Sequence, residues 1–171
     1  MTFYRAYLNN DEGLFYREAW LDPDASEFVV HHGKVGHLGT TEEQRYADED
    51  EGQQLLEVFA QQCTEDGYVD VDELRLGTVR ASWRLKTQDG TQRDHSFAKK
   101  VRQTLTAHLG WRGLGELIDP EQPQIGSGEL VYRVASPEPR RAIEVILSAA
   151  REFKLDPTKL SCTVEQKAQL P

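Results

Sequence analysis

Phe28-Val-Val-His31-His32-Gly33-Lys34-Val35-Gly36-His37-Leu38-Gly39-Thr40-Thr41-Glu42-Glu43-Gln44-Arg45-Tyr46 is the stretch whose reading decides the fold. Its first part alternates, and successive side chains of a strand point to opposite faces. Val29, His31, Gly33 and Val35 therefore share one face, and Phe28, Val30, His32 and Lys34 share the other. His37-Leu38-Gly39 forms the turn, and Thr40 onward returns as a β-branched and polar strand that closes on Tyr46.

Working outward, Phe3 to Leu8 and Leu14 to Leu21 read as two strands joined by the turn Asn9-Asn-Asp-Glu-Gly13. Asp22-Pro23-Asp24 breaks the second, with Pro23 at the second position of a type I turn. On the other side, Asp48 caps a helix, with Glu51 three residues on as in a capping box. Leu55, Leu56, Phe59 and Cys63 form its apolar stripe. Gly67 is a suitable helix C-cap, and Tyr68 follows.

This order of elements resembles the WGR domain, a small module of DNA-repair polymerases and many bacterial proteins. Gly33-Lys34-Val35-Gly36 stands where that family has Gly-Arg-Val-Gly, and Gly39 matches its turn. Tyr46 matches the aromatic that closes the returning strand, and Gly67-Tyr68 matches the helix end. His32 occupies the position of the signature tryptophan, and the match runs from about Leu14 to Val71. The resemblance implies an antiparallel sheet with one helix, and it makes His32, Lys34 and Tyr46 the candidate binding residues. In DNA-dependent polymerases of the family the module touches a DNA end and a neighbouring regulatory domain, partly through the tryptophan. With His32 in its place the indole stacking platform is lost.

The second half reads differently. Thr78 to Lys86 alternates, with Val79, Ala81, Trp83 and Leu85 on one side and Arg80, Ser82, Arg84 and Lys86 on the other. Gln88-Asp89-Gly90 is a turn, and Asp94 or Ser96 starts a helix with Phe97, Val101, Leu105 and His108 or Leu109 inward. A short strand at Gly115 to Ile118, a turn at Asp119 to Pro123 and a strand from Glu129 to Ala135 follow. Ser136-Pro137-Glu138 reads as a helix start with serine as N-cap. That helix turns Ile143, Ile146, Leu147 and Ala150 inward, together with Phe153 or Lys154, and stops at Leu155-Asp156-Pro157; Lys159 to Glu165 is the last strand. The succession β-α-(β)-β-α-β predicts a ferredoxin-like sandwich, with two helices on one face of an antiparallel sheet.

Charge divides the chain in the same place. Up to Arg75 there are 5 basic residues and 18 acids, whereas the remainder has 15 basic residues and 11 acids. A split of that size points to two units, residues 1–75 and 76–171. The acidic one repels phosphate backbones unless its few cations gather on one face. Cys63 and Cys162 form no CxxC pair, no apolar run approaches a membrane span, and Met1 to Arg5 lacks the apolar core of a signal peptide. These features predict a cytoplasmic protein with no membrane partner.

Candidate chemistry is sparse. His31 and His32 are adjacent on a strand and point apart, so they cannot share an ion, and His37 adds no carboxylate or thiol at a usual spacing. Gln62 to Glu73 overlays part of a calcium loop, but Gln62 stands at the first ligand position, which needs a carboxylate. Gly110-Trp-Arg-Gly113-Leu-Gly115 follows a helix instead of opening one, so it cannot present helix N-terminal amides to a phosphate. Asp94-His95-Ser96 are neighbours in sequence and do not form a triad by that fact. No catalytic set, metal or cofactor is therefore expected.

The remaining feature is the cationic face Arg80, Arg84 and Lys86, with Arg93, Lys99, Lys100 and Arg102 nearby. It is a solvated face, a dock for the acidic half or another acidic protein surface, or a weak contact for nucleic acid. The resulting expectation is an α+β chain of two domains, a WGR-like unit followed by a ferredoxin-like one. Its function is that of a non-enzymatic interaction module, an adaptor or regulatory subunit binding a protein partner. Nucleic-acid association in DNA repair or regulation is the alternative.

Overall fold

A computed structural model describes residues 3–118 and 124–170 of the chain. It is α+β, with two antiparallel sheets. The chain packs as two units, one ending at Leu74 and the other spanning Arg75–Leu170. The predicted turn at Asp119 to Pro123 lies outside the described residues.

The first unit is a sheet with one helix. Strands β1 (Phe3–Asn10), β2 (Gly13–Asp22), β3 (Glu27–Lys34) and β4 (Thr40–Arg45) run as consecutive hairpins, and β5 (Val69–Asp70) returns beside β1. The sheet order is β4-β3-β2-β1-β5. Helix α1 (Glu49–Glu65) lies against one face and starts where expected: the Asp48 carboxylate accepts from the Glu51 amide at 2.9 Å. The Glu51 carboxylate reaches one residue further back than in a standard capping box, accepting from the Ala47 amide at 2.6 Å. The helix ends in a Schellman motif. Gly67 takes φ +85°, and the Tyr68 amide donates to the Cys63 carbonyl. Tyr4, Ala6, Ala19 and Phe28 of the sheet bury against Leu56 and Cys63 of the helix, with Val30, Phe59 and Tyr46 partly buried around them.

The second unit has strands β6 (Gly77–Arg84), β7 (Glu116–Leu117), β8 (Gln124–Gly126), β9 (Glu129–Ser136) and β10 (Leu160–Gln166), with helices α2 (Gln92–Gly110) and α3 (Pro139–Glu152). The sheet order is β10-β6-β9-β7, and β8 also pairs with β9. Each helix thus joins strands that are not neighbours: α2 leads from β6 across β9, and α3 leads from β9 across β6. Val79, Ala81 and Trp83 of β6 and Leu130, Tyr132 and Val134 of β9 are directly paired and fully or nearly fully buried. Two long-range bonds lock this layer to the helical side. The Trp83 indole donates to the Leu155 carbonyl at 2.6 Å, and the Tyr132 hydroxyl donates to the Ala98 carbonyl at 2.7 Å.

Both helices of this unit start elsewhere than the sequence suggested. Thr91 caps α2 and forms a reciprocal capping box with Asp94, so Asp94 is the third helical residue. Ser136 does not cap α3; it is the last residue of β9, paired with Gly77 and fully buried. Its hydroxyl accepts from the Glu138 amide, and α3 begins at Pro139. Sheet pairing has captured the serine that local capping preference would place at the helix.

Candidate functional site

The six residues singled out from the sequence divide between the two units, His32, Lys34 and Tyr46 in the first and Arg80, Arg84 and Lys86 in the second, and neither trio forms one site. His32 lies near Glu42 on the next strand, Nε2 to Oε1 3.5 Å, on the edge of the helix-facing side of the sheet. Lys34 closes the β1–β2 turn: its ammonium donates to the Glu12 carbonyl at 2.6 Å and lies across Gly13, where a Cβ would meet its Cε at 2.8 Å. Tyr46 packs into the first core, and its hydroxyl donates to the Asp22 carbonyl at 3.3 Å. Arg80 is paired with Glu129 of β9. β6 ends at Arg84, so Lys86 lies in the following bend and not on the face that carries Arg80. The expected straight cationic stripe is therefore broken, because one member is neutralised and another leaves the strand.

Arg84 and Lys86 instead meet new partners. They line a cleft of about 380 Å³ with Arg93 from the first turn of α2, Lys154 from the loop after α3, and Lys159. Trp83, Leu85 and Phe97 supply apolar wall, and the rings of Trp83 and Phe97 meet edge-on at 6.3 Å. Five cations thus face two carboxylates, Asp94 and Asp156. Asp156 is held by Lys159 at 3.1 Å, and Asp94 is held by Thr91. Hydrogen bonds from Thr91, from its side chain first and then its amide, keep the Asp94 carboxyl below the usual range. Among the described residues, Arg84, Lys86, Arg93 and Lys154 make no ion pair and no side-chain hydrogen bond.

Backbone strain accompanies this cluster. The C-terminus of α3 is a Schellman motif in which the Leu155 amide donates to the Ala150 carbonyl at 2.8 Å. Its left-handed position, usually glycine, is Lys154 at φ 54°. Asp156 is also left-handed, at φ 45°. A side chain at such a φ is disfavoured, so the chain holds an ammonium at the cleft rim where backbone preference alone would select glycine.

A second polar cluster lies inside the first unit and was invisible in the sequence. Arg5, Glu18 and His31 are cross-strand neighbours on β1, β2 and β3, on the face away from α1. Arg5 Nε donates to Glu18 Oε2 at 2.7 Å, and Glu18 Oε1 lies 2.7 Å from His31 Nδ1. A carboxylate only accepts, so Nδ1 carries the proton, and Nε2 faces the Tyr16 hydroxyl at 2.9 Å. Burial by itself would raise the Glu18 carboxyl, but the His31 hydrogen bond and the charge and hydrogen bond of Arg5 outweigh it and hold it below the usual range.

The carboxylate–imidazole–hydroxyl order has the look of a catalytic relay, yet Tyr16 is 0% and His31 1% exposed. Gly39 covers them: a Cβ there would stand 2.0 Å from the Tyr16 hydroxyl and 2.4 Å from His31 Nε2. A hydroxyl sealed in this way has no approach for a substrate. The network is a satisfied polar core of the sheet. His31 and His32 point to opposite faces, as the alternation required. Cys63 is buried, and burial pushes the Cys162 thiol up to about 11, so neither is a ready nucleophile.

No protein-family model and no curated protein sequence matches the chain. A crystal structure of a Bacteroides fragilis protein, a structural-genomics target, aligns with 40% of this chain at 17% identity and a TM-score of 0.36. The aligned part is 19% of that protein's chain, about a fifth of its length. A likeness of this degree carries no functional argument. No helix among the described residues is long and apolar enough to cross a membrane.

Proposed function

We propose that the chain is a non-enzymatic interaction module, an adaptor or regulatory subunit, whose second unit receives an acidic segment of a protein partner. One observation carries the reading: Arg84, Lys86, Arg93 and Lys154 converge on one cleft with no ion pair among the described residues. Cations in excess over the carboxylates beside them repel one another, and an anionic ligand relieves that repulsion. The half-buried Leu85 and Phe97 give such a segment an apolar surface to pack on as well as a charge to meet. The WGR resemblance of the first unit supports the same class, since that module contacts a neighbouring protein domain. The crossing of β9 by α2 and of β6 by α3 supports a ferredoxin-like second unit.

The test is fluorescence anisotropy of the full chain with a labelled hexaglutamate peptide and with blunt, nicked and single-stranded oligonucleotides at about 0.15 M salt. The peptide should bind, and R84A/R93A should abolish the binding. Oligonucleotide binding that exceeds peptide binding, and that His32→Ala removes, would replace this reading with the nucleic-acid one.

A further inference from the structure

We infer that the cleft between the end of β6, the first turn of α2 and the loop after α3 is a phosphoryl-binding site, and that its ligand is a phosphorylated side chain on the partner segment. The inference rests on the acidic-partner reading and makes it specific.

Charge balance is the first argument. The cleft carries five cations against two carboxylates; Asp156 is paired with Lys159, and Asp94 keeps its negative charge while accepting from Thr91, so the excess is about three positive charges. One glutamate or aspartate brings a single negative charge and leaves most of that excess unmatched. A phosphomonoester brings about −1.5 to −2 at neutral pH and three acceptor oxygens.

Donor geometry is the second. Arg93 offers a planar guanidinium fork suited to paired phosphate oxygens, Lys86 and Lys154 are mobile point charges, and Arg84 borders the cleft from the end of β6. Arg93 belongs to the first turn of α2, where the helix dipole favours an anion. The cations come from segments far apart in sequence, so only the folded unit assembles them.

Lys154 is the third. A left-handed position that closes a Schellman motif asks for glycine, and here it holds a lysine whose side chain lines the cleft. The volume, about 380 Å³, is at the low end for ligand pockets. It suits one phosphorylated side chain with its immediate neighbours, and the half-buried Leu85 and Phe97 face the flanking residues.

The experiment is an amide-resolved NMR titration of the full chain at constant ionic strength. The probes are Gly-Gly-phosphoserine-Gly-Gly, the same peptide with serine, the same peptide with glutamate, inorganic phosphate, adenosine monophosphate and acetate. The phosphopeptide should shift the amides of Lys86, Gln92, Arg93 and Lys154 saturably, about tenfold more tightly than the glutamate peptide. R84A/R93A should abolish the shifts. Lys154→Gly, which relieves strain and so stays folded, should weaken binding by roughly fivefold, the worth of one exposed charge pair at contact.

If the glutamate peptide binds these amides as tightly as the phosphopeptide, the phosphoryl assignment is overturned and the acidic-partner reading stands. If no peptide moves these amides, both are overturned. Inorganic phosphate or adenosine monophosphate binding as tightly as the phosphopeptide overturns the assignment to a phosphorylated protein segment. Equal shifts with acetate mean unspecific charge screening and also overturn it.

Discussion

Replacing Lys154 by glycine should make the second unit more stable. A residue with a Cβ in the left-handed region is disfavoured by roughly 1–2 kcal/mol, and Lys154 sits there at φ 54°. Glycine regains that energy but gives the unfolded chain more freedom, which returns about 0.4–1 kcal/mol. The net gain is about 0.5–1 kcal/mol. Little is lost against it, because the exposed Lys154 side chain makes no ion pair among the described residues. The two backbone hydrogen bonds of the motif, Lys154 to Arg151 and Leu155 to Ala150, do not involve the side chain. For a folding unit the size of Arg75–Leu170, this corresponds to a rise in Tm of roughly 3–6 °C. The assay is differential scanning calorimetry beside denaturant unfolding, with Lys154→Ala as control. Alanine removes the charge but keeps the Cβ, so it should stay within about 0.5 kcal/mol of the parent. If alanine stabilises as much as glycine, relief of charge repulsion and not backbone strain is responsible. If glycine gives no gain, Lys154 is not strained, and the third argument for the phosphoryl site fails.

Three further outcomes follow from the geometry. Gly39→Ala puts a methyl group within 2.0 Å of the Tyr16 hydroxyl; it should cost roughly 1–3 kcal/mol in urea unfolding of the full chain, whereas Gly110→Ala, with nothing within 4 Å of its Cβ, should not destabilise. Glu18→Gln removes the charge that Arg5 and His31 both engage and should cost about 3 kcal/mol at neutral pH. Because the folded-state pKa of Glu18 is lowered from 4.5, its contribution is full above that value and is lost as pH falls through the folded pKa. Parent and variant stabilities should therefore converge in acid, and a gap unchanged from pH 7 to pH 3 would refute the pairing. Thr91→Ala, which removes the α2 capping box, should cost about 1 kcal/mol by circular dichroism melting, while Ser96→Ala, no longer the expected cap, should be near neutral.

What the sequence determined by itself was local. Alternation placed β1, β3 and β6, since a strand's period of two is written directly in side-chain positions, and turn residues between them delimited β2, β4, β9 and β10. Asp48 and Gly67 marked the ends of α1 through capping chemistry that acts within four residues. Arg84 and Lys86 stood out as cations and do line the cleft.

What the tertiary structure alone decided were the meetings between distant segments. Arg93 was legible only as a cation near that face, and Lys154 and Lys159 could not be assigned to the cleft from sequence, because α2, α3 and the end of β6 come together only when the helices pack on the sheet. The stop signal Leu155-Asp156-Pro157 marked the loop but not its direction. Arg80 looked equivalent to Arg84 until the fold brought the Glu129 carboxylate to it. Arg5, Glu18 and His31 became one buried network through strand register, which sets who stands opposite whom. Ser136 was drawn from helix cap to strand end because the sheet ladder offered its backbone a partner in Gly77. Local preferences of a residue are properties of its own atoms and near neighbours; charge compensation, burial and register are properties of contacts that exist only once the chain has closed on itself.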